Sequence, residues 1–291
     1  MRFSKYQGAG NDFLIADNRN GEISVEDGVL VDSTGRRIAV AEICDRRYGI
    51  GADGLMLLEA GNSTDFRMTY FNSDGSGGMM CGNGGRCIVA FAADRGVKPS
   101  GPCGEYVFDA ADGLHEALIL EDNAGQKIVR LKMKDVSEAV HYDMLTGVAV
   151  SSEGWFLDTG TRHYVRRVTD LQTYDVVKDG REIRYNASEL QPVGANVNFI
   201  EPSDTVLNVR TYEKGVEDET FACGTGIVAS AMAAYLSGIT PHSENDGNLK
   251  YEIQAKRDRL SVEFTPDSKG QFAARTVYLT GPAAYFADIL L

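Results

Sequence analysis

Two stretches of this 291-residue chain, FNSDGSGGMMCGNGG (Phe71–Gly85) and YEKGVEDETFACGTG (Tyr212–Gly226), run from an aromatic residue into Cys-Gly and a glycine-rich turn, and each is followed by an apolar run. Cys81 stands ten residues after Phe71, Cys223 stands eleven after Tyr212, and the two cysteines are 142 apart. Two more blocks recur in the same order. GADGLMLLE from Gly51 matches GANVNFIEP from Gly194 at an offset of 143, and AGNDFLIAD at Gly10 matches TGTRHYVRR at Gly160, more weakly, at an offset of 150. Three blocks in one order at nearly one offset imply an internal duplication. The expected fold is α/β, with two pseudo-symmetric domains, each a mostly antiparallel sheet wrapped around a central apolar helix whose N-terminus carries Cys-Gly.

The rest of the chain fits that plan. Alternating runs such as RFSKYQ, DFLIAD, DFRMTYF, EYVFDA, HEALIL and KIVRLKMK in the first half predict half-buried strands. HYVRRV, NVNFIE, VLNVRTY, YEIQAK, LSVEF and TVYLTG do so in the second. Helices are expected over Ser33–Gly49, Gly84–Gly96, around DLQTYDVVKD, and from about Gly226 to Ser237. The change between halves falls between Lys134 and Gly147, with no linker rich in Pro, Gly or Ser.

Composition narrows the function. With 29 basic and 42 acidic residues the formal net charge is -13, which argues against a nucleic acid or an anionic membrane as partner, since both call for a concentrated positive surface. The N-terminus lacks an apolar leader, so the expected compartment is the cytoplasm. Thr220–Ser243 carries no Asp, Glu, Lys or Arg, but its glycines, threonines and Pro241 leave an apolar helix of only about a dozen residues, a buried core helix and not a span. Five cysteines without paired spacing are expected to be reduced, and Cys81 and Cys87 with four scattered histidines make no metal site.

The two Cys-Gly turns carry the chemistry. The first turn of a helix leaves N–H groups free and gathers positive charge, which favours an anion and a thiolate. Two such turns facing one another would hold one carboxylate between two thiols. That arrangement suits inversion of a stereocentre: one thiolate removes the α-proton, the opposite thiol returns a proton to the other face, and helix N–H groups stabilise the developing enolate charge. No cofactor is required. GIGADG (Gly49–Gly54) satisfies a dinucleotide-binding spacing but lies between a helix and a strand in the wrong order. The acidic run Glu217-Asp218-Glu219 reads as a solvated lead-in to the helix that would keep Cys223 more protonated than Cys81.

On FSKYQGAGNDFLIAD, RRYGIGADGL, FNSDGSGGMMCGNGGRC, GANVNFIE, VRTYEKGVEDETFACGTG and VYLTGPA, the chain resembles the pyridoxal-independent, two-cysteine diaminopimelate epimerase family over nearly all its length. The resemblance implies domains at 1–138 plus a returning C-terminal strand 282–291, and at 139–281, with the active site in the interdomain cleft. It implies Cys81 and Cys223 as the acid–base pair, with Gly82-Asn83 and Gly224-Thr225 binding the reacting carboxylate. It places His163 and Glu213 at the reacting amine, and Asn11, Asn72 and Asn196 at the distal amino-acid end. The implied activity is conversion of LL-diaminopimelate to the meso form for lysine and peptidoglycan synthesis, on a small amino-acid substrate without cofactor or metal, and it allows a homodimer. Two positions depart from the family pattern. Gly160-Thr161-Arg162-His163 stands where Gly-Asn-Pro-His or Gly-Ser-Pro-His is usual, and Glu213-Lys214 stands where Glu-Arg is usual. Lysine lacks the two-pronged grip of arginine on a carboxylate, so Arg162 is a candidate to supply the guanidinium that Lys214 does not. A racemase of another amino acid such as lanthionine, or a non-catalytic amino-acid binding module, are the alternative readings.

Overall fold

Residues 1–78, 80–267 and 272–291 are described by the computed structural model, in which the chain divides into two units, Met1–Leu131 with Gly281–Leu291, and Lys132–Thr280. In the first unit β1 (Arg2–Gly8) and β2 (Asn11–Asp17) form a hairpin, and β3 (Ile23–Glu26), β4 (Val29–Asp32) and β5 (Arg37–Ala39) form a small separate sheet leading into α1 (Val40–Cys44). There follow β6 (Gly54–Glu59), β7 (Phe66–Asn72), α2 (Gly82–Asp94), β8 (Tyr106–Ala110), β9 (Gly113–Asn123) and β10 (Gln126–Lys132). The second unit holds β11 (Ala139–Tyr142), β12 (Gly154–Asp158), β13 (Arg162–Arg167), α3 (Val176–Asn186), β14 (Asn196–Pro202), β15 (Leu207–Glu213), β16 (Asp218–Thr220), α4 (Gly224–Leu236), β17 (Ser243–Asn245), β18 (Asn248–Gln254) and β19 (Arg259–Asp267). The long β20 (Ala273–Leu290) closes the chain; its start pairs with β19, and its last residues pair with β1 in the first unit.

The duplication is visible in the strand senses. Along β1-β2-β6-β7-β8-β9 the pairings are antiparallel, parallel, antiparallel, parallel, antiparallel. Along β12-β13-β14-β15-β18-β19 the same five senses occur in the same order. In each unit the sheet encloses its helix: α2 packs on β1, β2, β6 and β9, and α4 on β12, β13, β14, β15, β18 and β19. A helix enclosed by its sheet is buried on nearly every side, and every residue from Gly82 to Ala92 is buried, the polar Asn83 and Arg86 included. Both helices stop alike. Gly96 and Gly238 take left-handed backbone (φ 79° and 72°), and the N–H of the next residue, Val97 or Ile239, reaches back to the carbonyl of Ala92 or Ala234. A side chain at such a φ is strained, which is why glycine ends each run.

One expected helix comes out shorter and another is displaced toward the C-terminus. Of Ser33–Gly49 only Val40–Cys44 is helical, because Arg37–Ala39 is taken up in pairing with β4. DLQTYDVVKD begins as a single 3-10 turn at Leu171–Thr173, and α3 starts at Val176, where the Asp175 side chain caps it by accepting from Lys178 N at 3.1 Å. α2 and α4 each begin two residues earlier than expected, at the glycine next to the cysteine.

Candidate active site

Parallel β2 and β6 begin, and β7 ends, at the same end of the first unit's sheet, with Phe13 opposite Gly54 and Gly54 opposite Asn72. Cys81 caps α2 in extended backbone (φ -105°, ψ 132°), and its carbonyl accepts from Gly85 N at 2.7 Å. The first bond of the helix thus runs from Gly85, and Gly82, Asn83 and Gly84 form the first turn at its positive end. Asn83, fully buried, donates from Nδ2 to Asn11 Oδ1 at 2.7 Å, and Asn11 Nδ2 donates to Asp53 Oδ2 at 2.9 Å. At the other end of this chain of amides the fully buried Arg86 gives Nη2 to Asn83 Oδ1 at 2.7 Å. A guanidinium can only donate and a carboxylate only accept, so Arg86 and Asp53 between them set the orientation of both amides. Arg46 in turn grips Asp53 and Asp12, each at 2.6 Å. Asn72 lies in a separate turn, where Nδ2 donates to Ser76 Oγ at 3.0 Å.

The second unit repeats the geometry with different side chains. Cys223 caps α4 (φ -99°, ψ 113°), and its carbonyl accepts from Ile227 N at 2.8 Å. His163 at the start of β13 lies opposite Asn196 at the start of parallel β14. Asn196 Oδ1 accepts from Lys214 N at 2.8 Å, just past the end of β15. Glu213, the last residue of β15, accepts from Thr220 Oγ1 at 2.7 Å. His163 is fully buried, and burial depresses its pKa to about 3, so the ring is neutral. Its Nε2 lies 2.9 Å from both Thr161 Oγ1 and Thr225 Oγ1, and Thr225 Oγ1 lies 3.4 Å from Cys223 Sγ. Thus His163, Thr225 and Cys223 share one polar cluster, and Glu213, Asn196 and Lys214 meet at the neighbouring strand ends. Arg162, one residue before His163, points to the other face of β13. Its Nη1 donates to the carbonyl of Leu190 at 3.1 Å, and the guanidinium sits 5.0 Å from the centroid of the Phe156 ring.

The acidic run before Cys223 is not the solvated lead-in that its composition suggests. Asp218–Thr220 is a strand, and two of the three charges are matched. Glu217 is held by Arg184 at 2.7 Å, and that contact lowers its pKa to about 2. For Glu219, burial pushes the pKa up, but Arg210 at 2.7 Å and Lys256 at 3.2 Å outweigh it and hold the carboxyl below its ordinary range. The charge expected to favour a protonated Cys223 is largely neutralised. Cys87, fully buried on α2, has its thiol pushed up to about 12 by desolvation, the behaviour of an inert core residue.

Sequence reasoning missed Asp53, Arg86, Thr161 as a partner of His163, Asn198, Thr211 and Thr220. One signal was present: Asn198 is a polar residue in the otherwise apolar strand segment VNFI, on the same face as Asn196 two residues earlier.

Solved structures place this fold. Over its whole length the chain is similar to a Bacillus anthracis phenazine biosynthesis protein of the PhzF family (TM-score 0.70, 16% identity, 100% of this chain and 99% of that chain). It is likewise similar to a hydroxyproline epimerase from Agrobacterium vitis (TM-score 0.69, 14% identity, 100% and 90%). The fold is therefore the α/β fold that these two proteins share. Within it, the chain belongs to the diaminopimelate epimerase family. The family's sequence profile, described as Diaminopimelate epimerase, matches residues 3–139 and 155–285. The chain is 40% identical over 286 residues to the diaminopimelate epimerase of Flavobacterium psychrophilum (98% of each chain). It is 44% identical over 235 residues to that of Chlorobaculum tepidum (79% of this chain, 82% of the relative), and 36% identical over 281 residues to that of Aquifex aeolicus (96% and 95%). Among the described residues no helix is long and apolar enough to cross a membrane.

Proposed function

We propose that the chain is an isomerase that inverts one α-carbon of LL-2,6-diaminopimelate to give the meso isomer, with Cys81 and Cys223 as its two proton carriers. The observation that carries this reading is the repeated cysteine: in two sheets with the same sequence of strand senses, the same residue type caps the buried helix with the same backbone conformation. In the thiolate form one sulfur takes the α-proton and becomes a thiol. The other, a thiol at the start, gives its proton to the opposite face and becomes a thiolate, so the enzyme is left in the complementary protonation state, and proton exchange of the two sulfurs with solvent restores the starting form for the next LL substrate. Between these steps negative charge spreads into the α-carboxylate. The N–H groups at Gly82-Asn83 and Gly224-Thr225 are the donors for that charge; loss of one such donor typically costs about a hundredfold or more in rate.

Glu213, oriented by Thr220, accepts from the α-ammonium, with the neutral His163 beside it. Asn11, Asn72, Asn196 and Lys214 take the distal amino-acid end. Arg162 is committed to Leu190, so the distal carboxylate falls to Lys214 and the asparagine amides. The reading calls for a free amino acid in the cytoplasm, with no nucleic acid, membrane or cofactor. The test is incubation with LL-diaminopimelate in deuterated water without added cofactor, followed by chiral chromatography and mass spectrometry. Meso product carrying one deuterium at the inverted carbon is expected. Lanthionine in a parallel reaction decides how strictly the distal end is read, and α-hydrogen exchange with neither compound would sink the proposal in favour of a binding module.

A further inference from the structure

Asn198 is fully buried on β14, and the mechanism above makes no use of it. Its Oδ1 accepts from the hydroxyl of Thr211, the residue opposite it on β15, at 2.9 Å. Its Nδ2 lies 3.4 Å from the carbonyl of Tyr164, which can only accept. Together these neighbours fix which end of the amide carries hydrogen. The same Nδ2 meets His163 Nδ1 at 3.0 Å. A ring nitrogen facing an N–H donor has to offer its lone pair, so the ring proton of His163 sits on Nε2.

Nε2 stands in a triangle with Thr161 Oγ1 and Thr225 Oγ1, and all three sides are 2.9 Å. The three atoms bring three hydrogens, but a protonated Nε2 has no lone pair to accept one. One hydroxyl hydrogen therefore has to leave the triangle. Among the described residues, the protein acceptor next to it is Cys223 Sγ, 3.4 Å from Thr225 Oγ1.

We propose that Asn198 is a positioning residue for the epimerisation: by locking His163 as its Nε2–H tautomer it directs the Thr225 hydroxyl hydrogen onto Cys223 Sγ, and so holds that sulfur as the resting thiolate. The inference deepens the two-thiol reading and rests on it. No proton travels along the relay; it is a fixed set of donors that all point toward the sulfur. Burial of His163, which keeps the ring neutral, agrees with it. The charged groups at this end of the unit include Asp158 at the end of β12, which accepts from Gly160 N at 2.9 Å, Glu213 on β15, Lys214 after it, Asp218 and Glu219 on β16, and Lys256 and Arg257. Glu219 is paired with Arg210 and Lys256, and Lys256 and Arg257 lie over the ring of Phe221.

The proposal is tested on the full chain by the pH dependence of iodoacetamide labelling, resolved peptide by peptide, with exposed Cys103 as internal reference. Thiolate is the labelled form, and one hydrogen bond to a charged sulfur corresponds to about a tenfold change in its population. Thr225→Val is expected to lower labelling of Cys223 near neutral pH about tenfold and to move its pH midpoint up by about one unit, with the high-pH plateau unchanged; Thr225→Ser is expected to restore the wild-type profile. ¹⁵N NMR of the histidine rings is expected to show His163 protonated at Nε2 in the wild type, and to lose that preference in Asn198→Leu. A Thr225→Val profile that overlays the wild type, or a wild-type His163 protonated at Nδ1, overturns the relay; if Asn198→Leu does not fold, the Thr225 pair and the wild-type spectrum decide by themselves. Epimerisation by the wild type with no labelling contrast defeats the relay and leaves the epimerase reading standing. A labelling contrast without epimerisation does the reverse.

Discussion

Gly84 and Gly226 each lie three residues after their cysteine, at equivalent points of α2 and α4, and alanine at the two positions should act in opposite directions. In a helix, alanine is favoured over glycine by up to about 1 kcal/mol. At Gly84 a Cβ would meet Met56 Sδ at 3.4 Å, Met68 Cε at 3.6 Å and Phe13 Cζ at 3.6 Å, ordinary contacts with two flexible thioether chains. Gly84→Ala should therefore keep most of the gain. At Gly226 the Cβ would stand 2.4 Å from Asn198 Oδ1 and 3.1 Å from His163 Cε1. Asn198 cannot yield without straining its bonds to Thr211 Oγ1 (2.9 Å) and His163 Nδ1 (3.0 Å). A buried polar group left unpaired costs roughly 1–3 kcal/mol, so two lost bonds less the helix gain leave a destabilisation of about 1–5 kcal/mol. Calorimetric unfolding reads the difference: a shift of about 2–4 °C per kcal/mol, upward for Gly84→Ala and downward for Gly226→Ala, with activity falling in the second. Shifts of the same sign in both variants would refute the packing argument.

Cys81→Ala and Cys223→Ala should each abolish net epimerisation in the chiral assay, while Cys87→Ala, whose buried thiol takes no part, should retain most of it; wild-type turnover by either of the first two ends the two-carrier mechanism. Stability should fall with acid below neutrality. His163 has a folded pKa near 3 against about 6.5 unfolded, so the unfolded chain binds the extra proton between those values and the lost stability reaches about 2 kcal/mol by pH 5. Urea unfolding at pH 5 and 7 measures it, and a His163→Phe chain with the same slope as the wild type would show that the ring is not its source. Arg162→Ala should leave KM for diaminopimelate within about threefold, whereas Lys214→Ala should raise it about tenfold or more, the usual worth of a charge-assisted contact. Steady-state kinetics on the two variants decides, and the reverse pattern would return the distal carboxylate to Arg162.

Much of the architecture was legible because duplication and period-two alternation are properties of the sequence itself. The longer strands and the two apolar helices follow from runs such as DFLIAD and GGRCIVAFAAD. Short polar strands such as Asp218–Thr220 and Ser243–Asn245 were not foreseen, because their identity comes from the strands beside them. The cysteines and the turns after them stood out as repeated, chemically loaded positions. Asn198 and Arg86 did not, since an asparagine in a strand run or an arginine in a helix reads as surface until the register shows it buried. Thr211 and Asn198 are thirteen residues apart and become partners only through the β14–β15 register. The departures Thr161 and Arg162 were seen, but not that one would turn to His163 and the other to Leu190, an outcome of strand alternation combined with packing.

β20 has a consequence for the order of events when the chain is made. Its last residues pair with β1, Arg2 opposite Leu290 through Gln7 opposite Ala284, and the N-terminal ammonium donates to the carbonyl of Leu291 at 3.0 Å. On a ribosome β1 emerges before the second unit with its partner β2 directly behind it, whereas its other partner, the end of β20, emerges after the second unit. Proteins of two units ordinarily complete the N-terminal one first during synthesis; here the middle of the chain can finish while the opening strand waits, its edge exposed to mispairing. Met1 and Leu291 lie side by side, so a short bridge from residue 291 to residue 1, with new termini cut in an exposed loop of the second unit, would let the first unit be translated as one uninterrupted segment.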